Sequence, residues 1–168
     1  MVSDIEFYCS YPVCMALKKD GYDRWCDSSY TYATRYKGED IDFETELDLK
    51  AEGKAKEIKR IPGEEICIHP ARNSEIDSYG LKKDCGRVTQ ACAMEWLRAK
   101  HMVHIEVTTL DGGDGYDRCW ISKAIDFSDK YKGKIIIPAI FGTSYEEVVE
   151  KMLMKYYKVK PRKPKQDA

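Results

Sequence analysis

The chain predicts an α+β fold: a two-layer arrangement in which an antiparallel meander sheet carries amphipathic helices on one face. Three observations lead there. Residues 88–109 (VTQACAMEWLRAKHMVHIEVTT) change hydrophobic period part-way, from that of a helix to that of a half-buried strand. Two more strand patterns follow across short polar turns, an order that favours a meander. The segment SYEEVVEKMLMKYYKVK then adds a second amphipathic helix that can cover the same sheet face.

Residues 88–109 are the organising stretch. Thr89 suits an N-cap, because its hydroxyl can accept from an unpaired amide of the first turn. Ala, Met, Glu, Leu and Arg then supply good helix formers without Gly or Pro. At about 100° per residue, Cys92, Ala93, Trp96, Leu97 and Ala99 share one side, and Gln90, Glu95, Arg98 and His101 the other. Lys100 lies in the apolar arc, where its stem can be covered while its ammonium stays wet. Val103, Ile105 and Val107 then alternate with His104, Glu106 and Thr108, and β-branched residues suit a pleated surface.

The 168 residues are enough for one domain, or one domain with a small appended module. The net charge of −1 disfavours a general nucleic-acid binder, so any attraction to phosphate must come from local patches. No long apolar run predicts a membrane span, and MVSDIEFYCS lacks the regions of a secretion signal. The reading is cytoplasmic, with no membrane partner. Seven cysteines at irregular spacing do not form a disulfide framework, and in a reducing compartment they serve as small buried hydrophobes.

Taken in order, the chain opens with a short apolar segment at residues 5–8, read as an edge strand. In SYPVCMALKKDGYD, Ser10 can cap a helix, Pro12 fits its first turn and Gly21 can end it in a left-handed conformation. Lys18 and Lys19 complement the dipole of the last turn. Tyr30, Tyr32, Thr34 and Tyr36 then alternate with Thr31, Ala33 and Arg35, a strand with three tyrosines on one face. Ile41, Phe43, Leu47 and Leu49 suggest a second strand. Residues 51–65 read as a charged loop or hairpin, 65–69 as a short strand, and 70–87 as a connection. LDGGDGYD is a turn, residues 116–125 and 135–137 are strands, and Pro138 stops the last. Ser144 and Glu147 match a capping box, with Val148, Val149, Met152, Leu153 and Tyr156 on one helical face. The organisation is thus an N-terminal helix and strand portion, 1–86, holding a charged insert at about 37–85. A helix, three strands and helix module, 87–157, follows. A basic tail, 158–168, is read as disordered.

Three segments carry a resemblance. CSYPVCMALKKDGYDRWCDSSY resembles the opening of small accessory proteins of Bacteroidales phages and prophages, with a serine-aromatic start, an amphipathic helix and a Lys-Lys-x-Gly-aromatic turn. VTQACAMEWLRAKHMVHIEV resembles their central Trp-Leu-Arg-x-x-His segment, and SYEEVVEKMLMKYYKV their final helix. The pieces cover roughly half the chain, as for one domain with a variable insert. The resemblance implies a phage-type accessory protein in a bacterial host cell and transfers no catalytic residue.

No cofactor fingerprint, paired carboxylate motif or Ser-His-Asp order is present, and no metal ligand set is assigned. His101 and His104 could join Cys85 or Cys119 around zinc, but the chain changes structure between them. The plainer reading is a helix-end His101 and a solvent-facing His104. Cys67 and His69 would share one side of a strand, the minimum for a thiolate nucleophile, without a signature around them. Asp111, Asp114 and Asp117 lack the spacing and closing Glu of a calcium loop.

The most informative group is Tyr30, Tyr32 and Tyr36 with Arg24, Arg35 and Lys37. Tyrosine and arginine cover a sheet, build a protein interface, or stack on bases. The leading expectation is a non-catalytic binder of another macromolecule, most simply a host or phage protein. Tyr30, Tyr32, Tyr36, Arg35 and the polar helix residues Glu95 and Arg98 are its candidate surface. The alternative is a binder of nucleic acid or of a nucleotide signal, with Lys158, Lys160, Arg162, Lys163 and Lys165 on phosphate. A Cys/His-dependent enzyme comes third. No cofactor is called for, and self-association is left open.

Overall fold

Hydroxyl caps and period changes place the principal elements of the C-terminal half. In the computed structural model, which describes residues 7–111 and 118–162, Thr89 accepts from the Cys92 amide at 3.2 Å and opens helix α4, Gln90–His101. Met102 turns the chain in a left-handed conformation straight into strand β5, Val103–Leu110. Strands β6, Cys119–Asp126, and β7, Lys134–Gly142, continue the meander in the order β5-β6-β7, all antiparallel. Ser144 accepts from the Glu147 amide and opens helix α5, Tyr145–Tyr157. The reciprocal half of the capping box is replaced, because the Glu147 carboxylate binds the Thr143 amide and hydroxyl instead.

Helix α1, Tyr11–Lys19, has proline in its first turn, and Gly21 beyond its end takes φ +91°. Ser10 makes no side-chain cap there; its backbone amide donates to Glu150. The chain divides into two compact units, one of Met1–Tyr22 with Val88–Ala168, the other of Asp23–Arg87. Helix α1, grouped by the sequence with residues 1–86, therefore belongs with the 87–157 module.

The core of the larger unit lies where α5 crosses the sheet. Val148, Val149, Met152 and Leu153 are fully buried, as are Leu17 and Leu97 from α1 and α4. Helix and sheet approach closely through small residues. Ser122 donates to the Val148 carbonyl at 2.9 Å, Ala124 is fully buried, and a Cβ on Gly142 would fall 2.8 Å from Val148 Cγ1. The opposite sheet face leaves Ile135 and Phe141 more than half exposed. Strand β7 runs through Pro138 rather than stopping there. It is paired on one side only, so a residue without an N–H is tolerated. Gln90, expected outward, is buried because its amide holds the Glu146 carbonyl; Ala99, expected inward, is exposed.

In the smaller unit, β1, Ser29–Tyr36, is the central strand. It pairs with β2, Glu39–Asp40, with β3, Ile58–Cys67, and with β4, Cys85–Gly86, all antiparallel. Residues 41–49 are not a strand. Asp42 caps the Thr45 amide at 2.7 Å, Glu44 and Glu46 lie in the first turn and Lys50 in the last, and helix α2 covers Phe43–Ala51. The supposed loop at 51–65 is largely β3, whose register shifts against β1 at the Pro62–Gly63 step, with Gly63 at φ +72°. The connection at 70–87 contains the short helix α3, Asn73–Ser78, and β4. Residues 5 and 6 of the expected edge strand, the turn at 112–117 and the tail from 163 lie outside the described residues; Tyr8 makes a single bridge to Thr89.

Candidate functional site

Strand alternation sets the tyrosines. Ser29 and Ala33 are the buried residues of β1, in one phase; Tyr30, Tyr32 and Tyr36 fall in the other and are half-buried. Each ring carries a cation. Arg87 lies 5.5 Å from the Tyr30 centroid, Arg60 4.8 Å from that of Tyr32, and Lys37 5.3 Å from that of Tyr36. A fourth pair, Arg72 over Trp25 at 5.1 Å, lies in the same unit. Such pairs are worth about 0.5–1 kcal/mol each at exposed positions.

Two of the arginines are neutralised locally. Arg35 binds Asp40 at 2.8 Å and also Glu64, and these partners, Asp40 first, hold its guanidinium above its usual range. Arg60 donates to Glu46 at 2.7 Å, and Lys50 reaches the same oxygen at 2.7 Å. Glu46 is only 4% exposed; hydrogen bonds from Lys50 and then Arg60 hold its carboxyl below the usual carboxylate range. Arg35 is therefore a clamp inside the sheet rather than a phosphate ligand.

The remaining candidates separate. Glu95 and Arg98 are exposed on α4, in the larger unit, so no element carries both them and the tyrosines. Lys158 closes α5 in a left-handed conformation, Lys160 is exposed, and Arg162 sits 4.7 Å from the Tyr11 ring centroid. Lys163 and Lys165 lie outside the described residues.

No known protein family, curated protein or solved structure matches the chain. The site is read from its own chemistry.

His101 belongs to a hub that sequence reasoning missed. Asp20 Oδ2 accepts from Trp96 Nε1 and from the Tyr157 hydroxyl, each at 2.9 Å, and lies 2.7 Å from His101 Nε2. Lys100 donates to the Asp20 carbonyl. Burial pushes the Asp20 carboxyl up, but the bonds from Trp96, His101 and Tyr157 outweigh it and leave it below its ordinary value. The same carboxylate, after burial, raises the Tyr157 phenol. One acceptor thus ties the end of α1 to α4 and α5. The partners lie 76 to 137 residues from Asp20, so no local pattern announces the hub.

His104 sits apart on β5, opposite Ile125, and Cys85 belongs to the other unit. Among the described residues, no group of three or more His, Cys, Asp or Glu side chains could hold a metal ion. Cys67 ends β3 half-buried, and His69 lies beyond the strand, exposed in a bend. The expected common strand face does not extend to His69, because the ladder with β1 ends at the Ser29–Cys67 pair. A hydrogen bond with Cys14, then burial, pushes the Cys9 thiol well up, away from the thiolate a nucleophile needs.

Sequence reasoning also missed Arg60, Lys82, Lys83 and Asp84. With Tyr32, Pro62, Gly80 and Leu81 they line a cavity of about 350 Å³ in the smaller unit. Tyr32 was legible; Arg60 lay hidden in a stretch read as loop.

Proposed function

We propose that this chain is a non-catalytic accessory protein that binds a protein partner through the tyrosine strand of its smaller unit. The observation that carries the reading is the cation seated on each of Tyr30, Tyr32 and Tyr36, next to Ile66, which is 50% exposed beside Tyr30. Tyrosine, arginine and apolar contact area are what protein interfaces concentrate. Arg35 and Arg60 are paired with Asp40, Glu64 and Glu46, so part of the positive charge of the face is offset within the protein. Strands of nucleic acid favour uncompensated cations along the phosphate spacing. Among the described residues, no helix is long and apolar enough to cross a membrane. The resemblance to phage accessory proteins agrees with a role exerted by binding in the host cytoplasm.

The test compares affinity capture by the wild-type chain with capture by Tyr30→Ala/Tyr36→Ala and by Glu95→Ala/Arg98→Ala. A polypeptide retained in stoichiometric amount by the wild type and lost only with the tyrosine pair, at unchanged circular dichroism, supports the reading. Retention by the tyrosine variant, or loss only with the helix variant, removes it. A captured species that is nucleic acid, released steeply by salt, replaces it with the nucleic-acid alternative.

A further inference from the structure

The cavity beside Tyr32 has features that a flat protein interface does not need. We propose that it is a mononucleotide site: the base stacks on Arg60, the phosphate lies at Lys82 and Lys83, and Asp84 accepts from a sugar hydroxyl or base amine.

Arg60 supplies the stacking surface. Its guanidinium lies 4.8 Å from the Tyr32 ring centroid, and its Nη2 is fixed by Glu46 at 2.7 Å. The ring and the carboxylate together anchor the guanidinium. The side chain nevertheless remains 51% exposed and lines the cavity. A guanidinium anchored in this way can offer its plane to a planar ligand, since arginine planes stack on bases as aromatic rings do. Glu46, shared with Lys50, offsets part of its charge and fixes one of its nitrogens.

The other lining residues divide the work. Pro62 and Leu81 add apolar wall. Lys82 and Lys83 are exposed and supply ammonium donors at the rim. Asp84 is 3% exposed, a carboxylate below the rim. A carboxylate offers about four acceptor positions, so it can take a ligand donor in addition to bonds within the protein. That acid disfavours a simple carboxylate or inorganic phosphate inside the cavity. It favours an anion that also brings hydroxyl or amine donors. A volume of about 350 Å³ is at the small end of ligand cavities, which run from ~300 to 1,000 Å³. That suits one nucleotide rather than a dinucleotide.

This site shares Tyr32 and Arg60 with the protein-binding reading, whose own test is made at Tyr30 and Tyr36. Its test is calorimetric titration of the full chain with AMP, GMP, CMP and UMP, with the matching nucleosides and with inorganic phosphate. At least one monophosphate should bind one to one, its nucleoside at least roughly tenfold more weakly, and phosphate alone without measurable heat. Lys82→Ala/Lys83→Ala, both at exposed positions, should weaken the monophosphate roughly tenfold and leave thermal unfolding unchanged. Leu81→Asp, also at the surface, should abolish binding by closing the wall with a second negative charge. Three results would overturn the proposal: no monophosphate heat at millimolar concentration, equal affinity in the lysine variant, or binding only by oligonucleotides with affinity rising with length. The last would mean a strand groove. Loss of protein capture in the Tyr30/Tyr36 variant with nucleotide binding intact, or the reverse, separates the two readings.

Discussion

In the larger unit Leu17, Leu97, Met152 and Leu153 are fully buried, together with valines from α1, α5 and β5. In the smaller unit the buried apolar residues among those described are Cys26, Ala33, Leu49, Ile76 and Cys85. Its large side chains are outside instead: Trp25 is 57% exposed, Phe43 71%, Ile68 81% and Tyr79 80%. Ion pairs also link its elements, with Arg35 between Asp40 and Glu64, and Glu46 between Lys50 and Arg60. A unit of this size buries only about 60% of the surface of its extended chain, so a thin core is expected. The contrast teaches that apolar and aromatic surface was not spent on the interior where the candidate binding residues lie.

The sharpest way to break this comparison is to truncate one leucine in each unit. Leu153→Ala removes a fully buried side chain beneath the sheet and is expected to cost about 3–5 kcal/mol in urea unfolding. Leu49→Ala, from a side chain 8% exposed in a thinner core, is expected to cost roughly 2 kcal/mol. Equal losses would mean that the smaller unit has a core of the same quality.

An effect smaller than that of Leu153→Ala tests the Asp20 hub of the larger unit. Asp20→Ala leaves the Trp96 N–H and the Tyr157 hydroxyl without their acceptor, and roughly 2–3 kcal/mol is expected. Because the Asp20 carboxyl is held below its ordinary value, its contribution is complete above an unfolded pKa of about 4. It is lost as pH falls through the folded value. The variant should therefore lose most at neutral pH and least in acid; a difference independent of pH would show that packing, not the carboxylate, is what the substitution removed.

The smallest effect has the opposite sign. Glu150 Oε1 accepts from the Ser10 amide, while its Oε2, Gln90 Oε1 and Ser10 Oγ are buried with no hydrogen-bond partner among the described residues. Burial holds the Glu150 carboxyl above its usual range. Its protonated form is favoured by folding, so that contribution is full below an unfolded pKa of about 4.3 and disappears as pH rises through the folded value. Glu150→Gln keeps an oxygen for Ser10 and brings an amide donor to the crowded acceptors. A gain of about 1 kcal/mol at neutral pH, shrinking toward acid, is expected in chemical unfolding. A loss at neutral pH would mean that the ionised carboxylate stabilises the fold.

The larger unit was legible because its signals are local. Thr89 and Ser144 announce their helices, and the switch at residues 102–103 announces a strand. The smaller unit was less so. The apolar spacing at 41–49 fits a strand on alternation, but Asp42 and the charges of the turns decide for a helix whose Phe43 and Leu47 are not even buried. Strand β3 was hidden by Pro62 and Gly63, which punctuate loops and bulges alike. The tyrosines could be read from alternation. So could Lys37 beside Tyr36, but not Arg60 and Arg87, which reach Tyr32 and Tyr30 from other parts of the chain.

The division of the larger unit around residues 23–87 has a consequence in time. Helix α1 packs on α5, yet about 130 residues of chain separate their starts. At ~5–20 residues per second of synthesis, the apolar side of α1 waits on the order of ten seconds for its partner. The smaller unit, complete once Arg87 has emerged, can fold during that wait. The first helix made is thus among the last to be seated, and a nascent chain stalled before residue 145 would present Val13 and Leu17 to whatever chaperone attends the ribosome.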